Sequence, residues 1–399
     1  MAPVVTLEQI RSFRLRAHHL NRPLPVSELL RASGACGLQN SPPGAWETAL
    51  WNRLEGCSSA LLRDALYRDK TLLQAWSYRG APVVFPTAER DIFLTSLRAL
   101  PGEEPWVYTA GISGALDFLG LPFTELLPLV MEAAGELDRR TIVSKEALDQ
   151  ALADRVEPLL PPDKRPLWHA PSMYGHPDRQ TVGGAAVSFL LRPCSFSSLV
   201  VFGRREGTQP TFTSPGRWLD RQPEPVKQPE RLLVRKFLRC FGPSTSAGLG
   251  AWLGCSTPQA RRLWNTVAGE LAPVTVEGRT RYALQEDLPE LTGPVCCGDR
   301  LLLLGPHDPY LDTRDRNSIL SDPALQKLVW RTVGNPGVLL RGGAAVGCWR
   351  VKTVREQLDF TLTPFRPLMP EEERGLTHLA EEYAAFRCAG VKKLSIASL

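Results

Sequence analysis

The sequence predicts an α+β protein in which winged helix-turn-helix motifs follow one another and a small β region ends the chain. Amphipathic helical segments followed by a pair of short strands recur along the chain, which is the order of elements in a winged helix. Beyond residue 294 the pattern changes to short strands between turns, which indicates a small barrel or sheet. The 399 residues are 43% hydrophobic and 22% charged, and this ordinary globular composition excludes disorder as the main state.

The first predicted region, residues 1–104, begins with a helix over 6–20, for which Thr6 is a suitable N-cap. Segment 34–44 contains three glycines and two prolines and is too rich in helix breakers to stay helical. Alternation over 72–85, around Arg79-Gly80, predicts a strand pair that forms the first wing. The other helices of this region are predicted over 26–33, 46–54 and 58–69.

The second predicted region, residues 105–229, has its clearest helices over 123–137 and 144–156. Glu146 places an acid in the first turn of the latter helix, where it suits the helix dipole. Residues 188–191 and 198–202 read as strands of a second wing. Residues 204–229, with five prolines, read as a flexible linker.

The third predicted region, residues 230–293, is the most legible. Helices over 232–241, 246–253 and 257–269 are followed by strands 274–276 and 280–284 around Glu277-Gly278-Arg279. This is a winged helix-turn-helix in which 258–269 is the recognition helix. In the last region, 294–399, strands are predicted over 300–304, 337–341, 345–352 and 358–364, and a closing helix over 371–387.

Positive charge is concentrated in the third region. The whole chain has 47 basic and 42 acidic residues, a net charge of +5. Residues 231–285 alone hold eight basic and two acidic residues, a net +6, which Glu230, Glu286 and Asp287 at the edges reduce to +3. Clustered cations on a helix-turn-helix indicate a DNA partner, the alternative being a solvated surface. The residues predicted to contact phosphates are Arg235, Lys236, Arg261, Arg262 and Arg279, with Arg79 from the first wing.

Several other classes of protein have no support in the sequence. No run of 18 apolar residues occurs, so no membrane partner is predicted. Residues 1–20 carry three arginines and lack the apolar core of a signal peptide, so a cytoplasmic location is predicted. Neither a phosphate-binding loop, a dinucleotide fingerprint nor a serine-hydrolase elbow is found, so no nucleotide cofactor is expected. The high arginine, alanine, leucine and proline content with little lysine is typical of a GC-rich bacterial genome.

Metal binding is also not predicted. The nine cysteines are odd in number, and no two have the C-x-x-C spacing, so reduced thiols without a metal or other cofactor are expected. His18 and His19 are neighbours on a helix, where their side chains point about 100° apart and do not readily chelate one ion. We therefore read them as ordinary histidines.

Six short motifs follow one another over residues 7–388, and each is weak alone. They are Gly37-Leu38-Gln39-Asn40-Ser41-Pro42, Trp51-Asn52-Arg53-Leu54, Ser77-Tyr78-Arg79-Gly80-Ala81, Phe241-Gly242-Pro243-Ser244-Thr245 with Trp252, Gly305-Pro306-His307-Asp308-Pro309-Tyr310-Leu311 with Arg314-Asp315-Arg316, and Gly347-Cys348-Trp349-Arg350. In order and spacing the chain resembles the AlkZ/YcaQ-type winged-helix DNA glycosylases. The resemblance implies three tandem winged helices and a small C-terminal β-barrel arranged around double-stranded DNA. Since tandem winged helices can act alone, a monomer is expected.

The resemblance also implies an activity and a site. Members of this family excise alkylated bases, and relatives unhook interstrand crosslinks, so a monofunctional glycosylase of base excision repair acting on alkylated or bulky-adduct bases is expected. The family signature is Gln, any residue, then Gln or Asp. Its first position maps onto Gln39, and its second onto Ser41, which departs from the pattern. The family's Arg-Gly-Thr-x-His stretch reads Arg79-Gly80-Ala81-Pro82-Val83 here and supplies no histidine.

The departure at Ser41 bears on the chemistry. Hydrolysis of an N-glycosidic bond passes through an oxocarbenium-like transition state, for which the enzyme supplies a placed water and negative or dipolar stabilisation. The amide of Gln39 can orient the water, while Ser41 can only hold it by a hydrogen bond. Further polar groups that could compensate are Asn40, Glu47 and Asp308. The rival hypotheses are a non-catalytic winged-helix DNA-binding protein and, with little support, a small-molecule hydrolase that uses the central loop.

Overall fold

The computed structural model describes residues 2–397 apart from 105–108, 176, 177 and 179. It shows a mixed α+β fold, as predicted. In the described residues the helices longer than five residues are Leu7–Ala17, Leu29–Gly34, Ala45–Trp51, Ser59–Tyr67, Ser113–Leu119, Phe123–Ala133, Lys145–Val156, Val182–Phe196, Pro229–Phe241, Ser246–Leu253, Thr257–Asn265, Pro323–Val329 and Pro370–Phe386. The strands are Leu24–Pro25, Leu38–Gln39, Leu54–Glu55, Leu72–Trp76, Pro82–Pro86, Ile142–Val143, Val201–Phe202, Thr211–Thr213, Leu271–Val276, Arg279–Leu284, Leu301–Leu304, Gly337–Arg341, Ala344–Val354, Gln357–Pro364 and Gly390–Ile396.

The chain divides into two compact units, and neither is continuous in sequence. The first unit contains Met1–Ala65, Val234–Leu249 and Thr266–Leu399. The second contains Leu66–Leu233 and Gly250–Asn265. The residues of the third predicted region are therefore shared between the two units.

In the first unit, the N-terminal helix packs against the hairpin of the third region. Thr6 caps this helix as predicted, because its hydroxyl accepts a hydrogen bond from the Gln9 amide at 3.1 Å while the Gln9 side chain accepts one from the Thr6 amide at 3.0 Å. Ile10 and Phe13 are buried on the helix and share a core with Val274 and Val276 of the hairpin. Burial of this apolar face holds the helix in place.

The second unit has its own core. The helices Phe123–Ala133, Lys145–Val156 and Val182–Phe196 supply most of its buried aliphatic residues. The indole of Trp76 stacks on Phe212 with ring centroids 5.2 Å apart and meets Phe202 edge-on at 4.8 Å. These aromatic pairs join the first hairpin to the short strands of the second region within one core.

Three expectations for the elements are corrected. Residues 188–191 are not a strand but lie inside the helix Val182–Phe196, because a short apolar run cannot be assigned by periodicity alone. Residues 204–229 are not simply a linker, since the strand Thr211–Thr213 is buried and pairs on both sides. In place of the predicted barrel, the described C-terminal strands form an open sheet in the order Leu301–Leu304, Gly337–Arg341, Ala344–Val354, Gln357–Pro364, Gly390–Ile396.

The last of these strands was not expected from the sequence. Gly390–Ile396 alternates only weakly in hydrophobicity, and it pairs in parallel with Gln357–Pro364 after the closing helix. A parallel pair needs a crossover connection, which the helix Pro370–Phe386 provides.

Possible membrane spans are limited to a bent pair. Within the described part of the chain, no single helix is both long and apolar enough to cross a bilayer. The pair Ala110–Leu119 and Phe123–Asp138, bent by 98°, meets the test by length and composition only.

A buried ion pair joins two of the sequence motifs within the first unit. Arg53 donates to both carboxylate oxygens of Asp308, each at 2.8 Å, and the two side chains are 1% and 0% exposed. Arg53 also donates to the Ala49 carbonyl at 2.8 Å, and Asp308 accepts from the Tyr310 amide at 3.0 Å. The pair is thus hydrogen-bonded on both sides, as a buried pair requires.

We expect Asp308→Ala to destabilise the first unit by about 3–5 kcal/mol, because it leaves the Arg53 guanidinium buried without its counter-charge. Urea unfolding measures the change. Asp299→Ala is the matched control, since Asp299 forms a bidentate pair with Arg341 but is 76% exposed, and its loss should be much smaller. Equal destabilisation by the two variants would contradict the assignment.

Candidate active site and DNA-contacting residues

Gln39 lies on a short strand that directly follows a turn at Gly37. The helix Leu29–Gly34 stops shortly before Gly37, whose φ of 76° lies in the left-handed region that favours glycine. The strand Leu38–Gln39 follows, with Leu38 buried and Gln39 partly exposed. Apolar Leu38 therefore anchors the segment while the next side chain reaches a solvent-accessible cavity.

That cavity has a volume of about 190 Å³ and is formed within the first unit. Its polar lining combines an amide, a carboxylate, an imidazole and a guanidinium. The lining residues are Gln39, His307, Leu311, Asp312, Arg316, Val329, Trp330, Asn335 and Pro336. The amide of Gln39 and the carboxylate of Asp312 therefore line one small polar space.

Asp312 is placed in this cavity by a rigid turn. The short 3-10 helix Pro309–Leu311 begins at Asp308, whose carboxylate is fixed by Arg53, and ends at Asp312. At the other end, the Trp330 indole N–H donates to the Leu311 carbonyl at 2.9 Å. The buried ion pair and this hydrogen bond fix the backbone on which the cavity's carboxylate stands.

Trp330 is itself covered on one side. The Arg316 guanidinium lies 4.9 Å from the centroid of the Trp330 ring, which is cation–π geometry. Arg316 and Trp330 both line the cavity, so part of its wall is an aromatic ring with an associated positive charge.

Ser41 lies two residues beyond Gln39 and is partly exposed, but it is not among the described residues that line the cavity. Asn40 is buried, and its side-chain carbonyl accepts a hydrogen bond from the Gly44 amide at 2.7 Å. Gly44 has a φ of 91°, so this bond stabilises the left-handed turn that starts the helix Ala45–Trp51. Asn40 therefore serves the turn.

The other two candidates for a compensating charge are Asp308 and Glu47. Asp308 already forms an ion pair, and the pKa of Glu47 is shifted. Asp308 is enclosed by Arg53 and has no exposed side-chain surface. Burial raises the pKa of Glu47, against the nearby charges of Arg387 and Arg63. Asp312, which the sequence analysis did not single out, is the carboxylate that lines the same cavity as Gln39. It belongs to no motif, and its only sequence signal is that it directly follows the motif ending at Leu311.

The predicted phosphate contacts fall on both units and differ in their partners. In the first unit, Arg235 forms ion pairs with Glu270 and Glu286, and Lys236 donates to the Gly34 carbonyl. Arg279 is exposed at the turn of the hairpin. The flanking acids noted in the sequence thus neutralise part of the positive cluster.

In the second unit, too, some of the predicted phosphate-contacting residues are paired and others are exposed. Arg262 bonds to Glu103 and Glu230, each at 2.6 Å, whereas the adjacent Arg261 is exposed, and among the described residues it has no ion pair. Arg79, with a φ of 54°, donates to the Trp252 carbonyl at 3.3 Å and stands over the Tyr78 ring. Adjacent arginines on one helix therefore have different roles.

Comparisons with known proteins identify the class to which this fold belongs. A family model described as "DNA glycosylase AlkZ-like" matches residues 32–386. The chain belongs to this family and is a DNA glycosylase, an N-glycosyl hydrolase, which confirms the resemblance seen in the sequence.

Two particular relatives come from one bacterium. An "Interstrand DNA cross-link repair glycosylase" of Streptomyces sahachiroi is 27% identical over 345 residues, which are 82% of each chain. The solved structure of Streptomyces sahachiroi DNA glycosylase AlkZ matches with a TM-score of 0.73 and 20% identity, covering 99% of this chain and 100% of that one. At that identity the structural match shows the shared α+β fold.

Proposed function

We propose that this glycosylase excises alkylated or bulky-adduct bases, including crosslinked ones, with Gln39 orienting the attacking water. The observation that supports this is that Gln39 and the carboxylate-bearing Asp312 line the same polar cavity. The Streptomyces sahachiroi relative is named as an interstrand crosslink repair glycosylase, and the transfer of this activity to the present chain is part of the proposal.

In the proposed mechanism the lesion supplies much of its own leaving-group activation. A purine alkylated at N3 or N7 is cationic, so it departs as a neutral base without a strong general acid. Positive charge then develops on the sugar, where the Asp312 carboxylate stabilises it. The Gln39 side-chain carbonyl accepts a hydrogen bond from the water and aims its oxygen at the sugar carbon.

Ser41 has a secondary role in this proposal. Its hydroxyl assists in holding the water, while the charge that an acid at position 41 would supply comes from Asp312. In this proposal the family signature keeps its amide at Gln39, and the negative charge comes from Asp312 in the cavity wall. This division explains how a family member could work with serine at the second position of the signature.

Duplex DNA is the proposed partner of exposed cations on both units. We propose that Arg261 and Arg279 contact phosphates directly. Arg79, Arg235, Lys236 and Arg262 then contribute to the positive electrostatic potential or stabilise the local structure. The helices and hairpins of 1–104, 105–229 and 230–293 are proposed to act as tandem winged helices, with 294–399 as a separate C-terminal region. The proposed active form is a monomer without a nucleotide cofactor.

A larger cavity does not favour a small-molecule hydrolase. It has a volume of about 230 Å³ and lies between the C-terminal sheet and the helix Pro370–Phe386. Its charged groups bind one another, since Arg341 pairs with Asp299 and Glu372 and Arg366 pairs with Glu372. With Glu371 the lining carries three carboxylates and two guanidiniums, and its described residues include no serine, cysteine or histidine that could form a nucleophile–base pair.

We expect Gln39→Ala to lower single-turnover excision of 7-methylguanine by about 10²–10³-fold, because the water loses its positioning group. Gln285→Ala, at an exposed glutamine outside the cavity, is the matched control and should excise at the wild-type rate. The same assay on a crosslinked duplex tests unhooking. Undiminished release by Gln39→Ala would remove Gln39 from the mechanism.

Asp312→Asn keeps the side-chain shape and removes its charge, so we expect excision to fall by about 10²-fold. Its affinity for duplex DNA should be equal to or tighter than wild type, because one negative charge is lost. Single-turnover rates and fluorescence anisotropy separate the two effects. Asp117→Asn, at an exposed helical carboxylate, is the control, and a wild-type rate for Asp312→Asn would exclude the carboxylate.

Arg261→Ala should weaken duplex binding and reduce the slope of log K against log[salt] by about 0.9, the value of one phosphate contact. Arg262→Ala is the matched comparison, because its guanidinium is already paired with two acids and its removal should change the slope less. Anisotropy titrations between about 50 and 200 mM salt measure both. Identical slopes for wild type and Arg261→Ala would refute the contact.

A further inference from the structure

Two cysteine sulfurs and one histidine ring nitrogen, from separate parts of the chain, lie close together in the interior of the first unit. A ring nitrogen of His18 and the sulfurs of Cys36 and Cys240 all lie within 4.8 Å of one another. The three residues, the His18 triad, are only 1–2% exposed. They are separated by 18 and 204 positions in sequence, so no spacing motif relates them.

The His18 ring is oriented as a ligand would be. Its Nε2 lies 2.9 Å from the Cys240 carbonyl oxygen, and since a carbonyl only accepts, Nε2 carries the proton. In the neutral ring Nδ1 then bears the lone pair, and this atom is 3.9 Å from the Cys36 sulfur. A backbone carbonyl that fixes the tautomer is the usual outer partner of a metal-bound histidine.

The surroundings exclude water from this position. Phe241 and Tyr310 meet the His18 ring edge-on, with centroids at 5.4 and 5.5 Å. As thiols, the two cysteines make long hydrogen bonds to carbonyls, Cys36 to Gly37 at 3.7 Å and Cys240 to Ala35 at 3.5 Å, besides their contacts within the triad. Sulfur donors in a dry shell suit a soft cation.

We propose that the His18 triad binds one thiophilic cation of the Zn²⁺ or Cu⁺ class through His18 Nδ1, Cys36 Sγ and Cys240 Sγ. Bonds of about 2.3 Å to sulfur and about 2.0–2.1 Å to nitrogen place the donors of a trigonal ion about 3.8–4.0 Å apart. The observed separations, 3.9 Å for one pair and at most 4.8 Å overall, need only a small contraction.

Binding is balanced in protons and charge. Each cysteine releases its S–H proton to solvent as its sulfur–metal bond forms, and His18 stays neutral. Two thiolates and Zn²⁺ then sum to zero, which favours Zn²⁺ in a buried position, whereas three donors match the lower coordination number of Cu⁺. The shared chemistry is thiolate coordination, and the metal used in the test distinguishes the two.

The proposed ion is structural, and it lies close to the catalytic segment. Cys36 precedes Gln39 by three residues, His18 follows the helix Leu7–Ala17, and Cys240 is near the end of Pro229–Phe241. One ion would therefore join the segment that leads to Gln39 to two helices of the same unit. Lys236, which donates to the Gly34 carbonyl, already joins the same segment and helix.

The test is metal loading of the full chain. The reduced protein is dialysed against Zn²⁺, or against Cu⁺ under argon, freed of excess ion, and its metal content and reactive thiols are counted. We expect about one ion per chain and protection of two thiols. Loading with Co²⁺ gives a second readout that needs no variant, a thiolate-to-metal charge-transfer band in the near ultraviolet.

Variants locate the ion. Cys36→Ser and Cys240→Ser should each lower the affinity by about tenfold or more, while Cys194→Ser, at a buried cysteine in the core of the second unit, should bind like wild type. A wild-type protein that binds no ion and shows no Co²⁺ band would overturn the proposal. A disulfide between Cys36 and Cys240 that persists in reductant, or equal binding by all three variants, would overturn it as well.

Discussion

The buried pair of Arg53 and Asp308 is the interaction on which the candidate active site depends. Two fully desolvated charges are tolerated only because each is bonded on several sides, and this fixes their positions closely. Asp308 starts the turn that ends at Asp312, so the pair transmits its rigidity to the cavity carboxylate. A buried pair of this kind contributes less to net stability than to placement, since removing either partner costs more than the pair itself provides.

The basic residues of the third predicted region also differ in whether their charges are paired with acids. The net charge calculated from the sequence treats Arg235 and Arg262 as unpaired cations. In the structure each of them is paired with two acids. Such pairs lower the local potential and hold helices to their neighbours. Arg261 and Arg279 are exposed instead, and a DNA backbone meets their charges with little desolvation of the protein interior. In the proposed DNA interface, direct phosphate contacts therefore come from fewer cations than the net charge of the sequence suggests.

Much of the fold was accessible from the sequence because its signals are local. The helix Ser246–Leu253 and the strand Gly337–Arg341 end at the predicted residues, where glycines and periodic apolar residues define the boundaries. Thr6 was identifiable as a cap for the same reason. The helix through 188–191 and the strand Gly390–Ile396 were missed because distant contacts decide both. The helix packs in the core of the second unit, and the strand, none of whose residues is buried, pairs with Gln357–Pro364.

The site follows the same rule. Gln39 was found through a motif, whereas Asp312 carries no motif and becomes significant only when the turn after Asp308 brings it to the same cavity. The His18 triad is the extreme case, since its members are linked by no pattern at all. Each grouping includes one residue of the segment 34–44, Gln39 in the cavity and Cys36 in the His18 triad. The other members come from other parts of the first unit, so the surroundings of the candidate catalytic residue depend on long-range packing and not on a local sequence pattern.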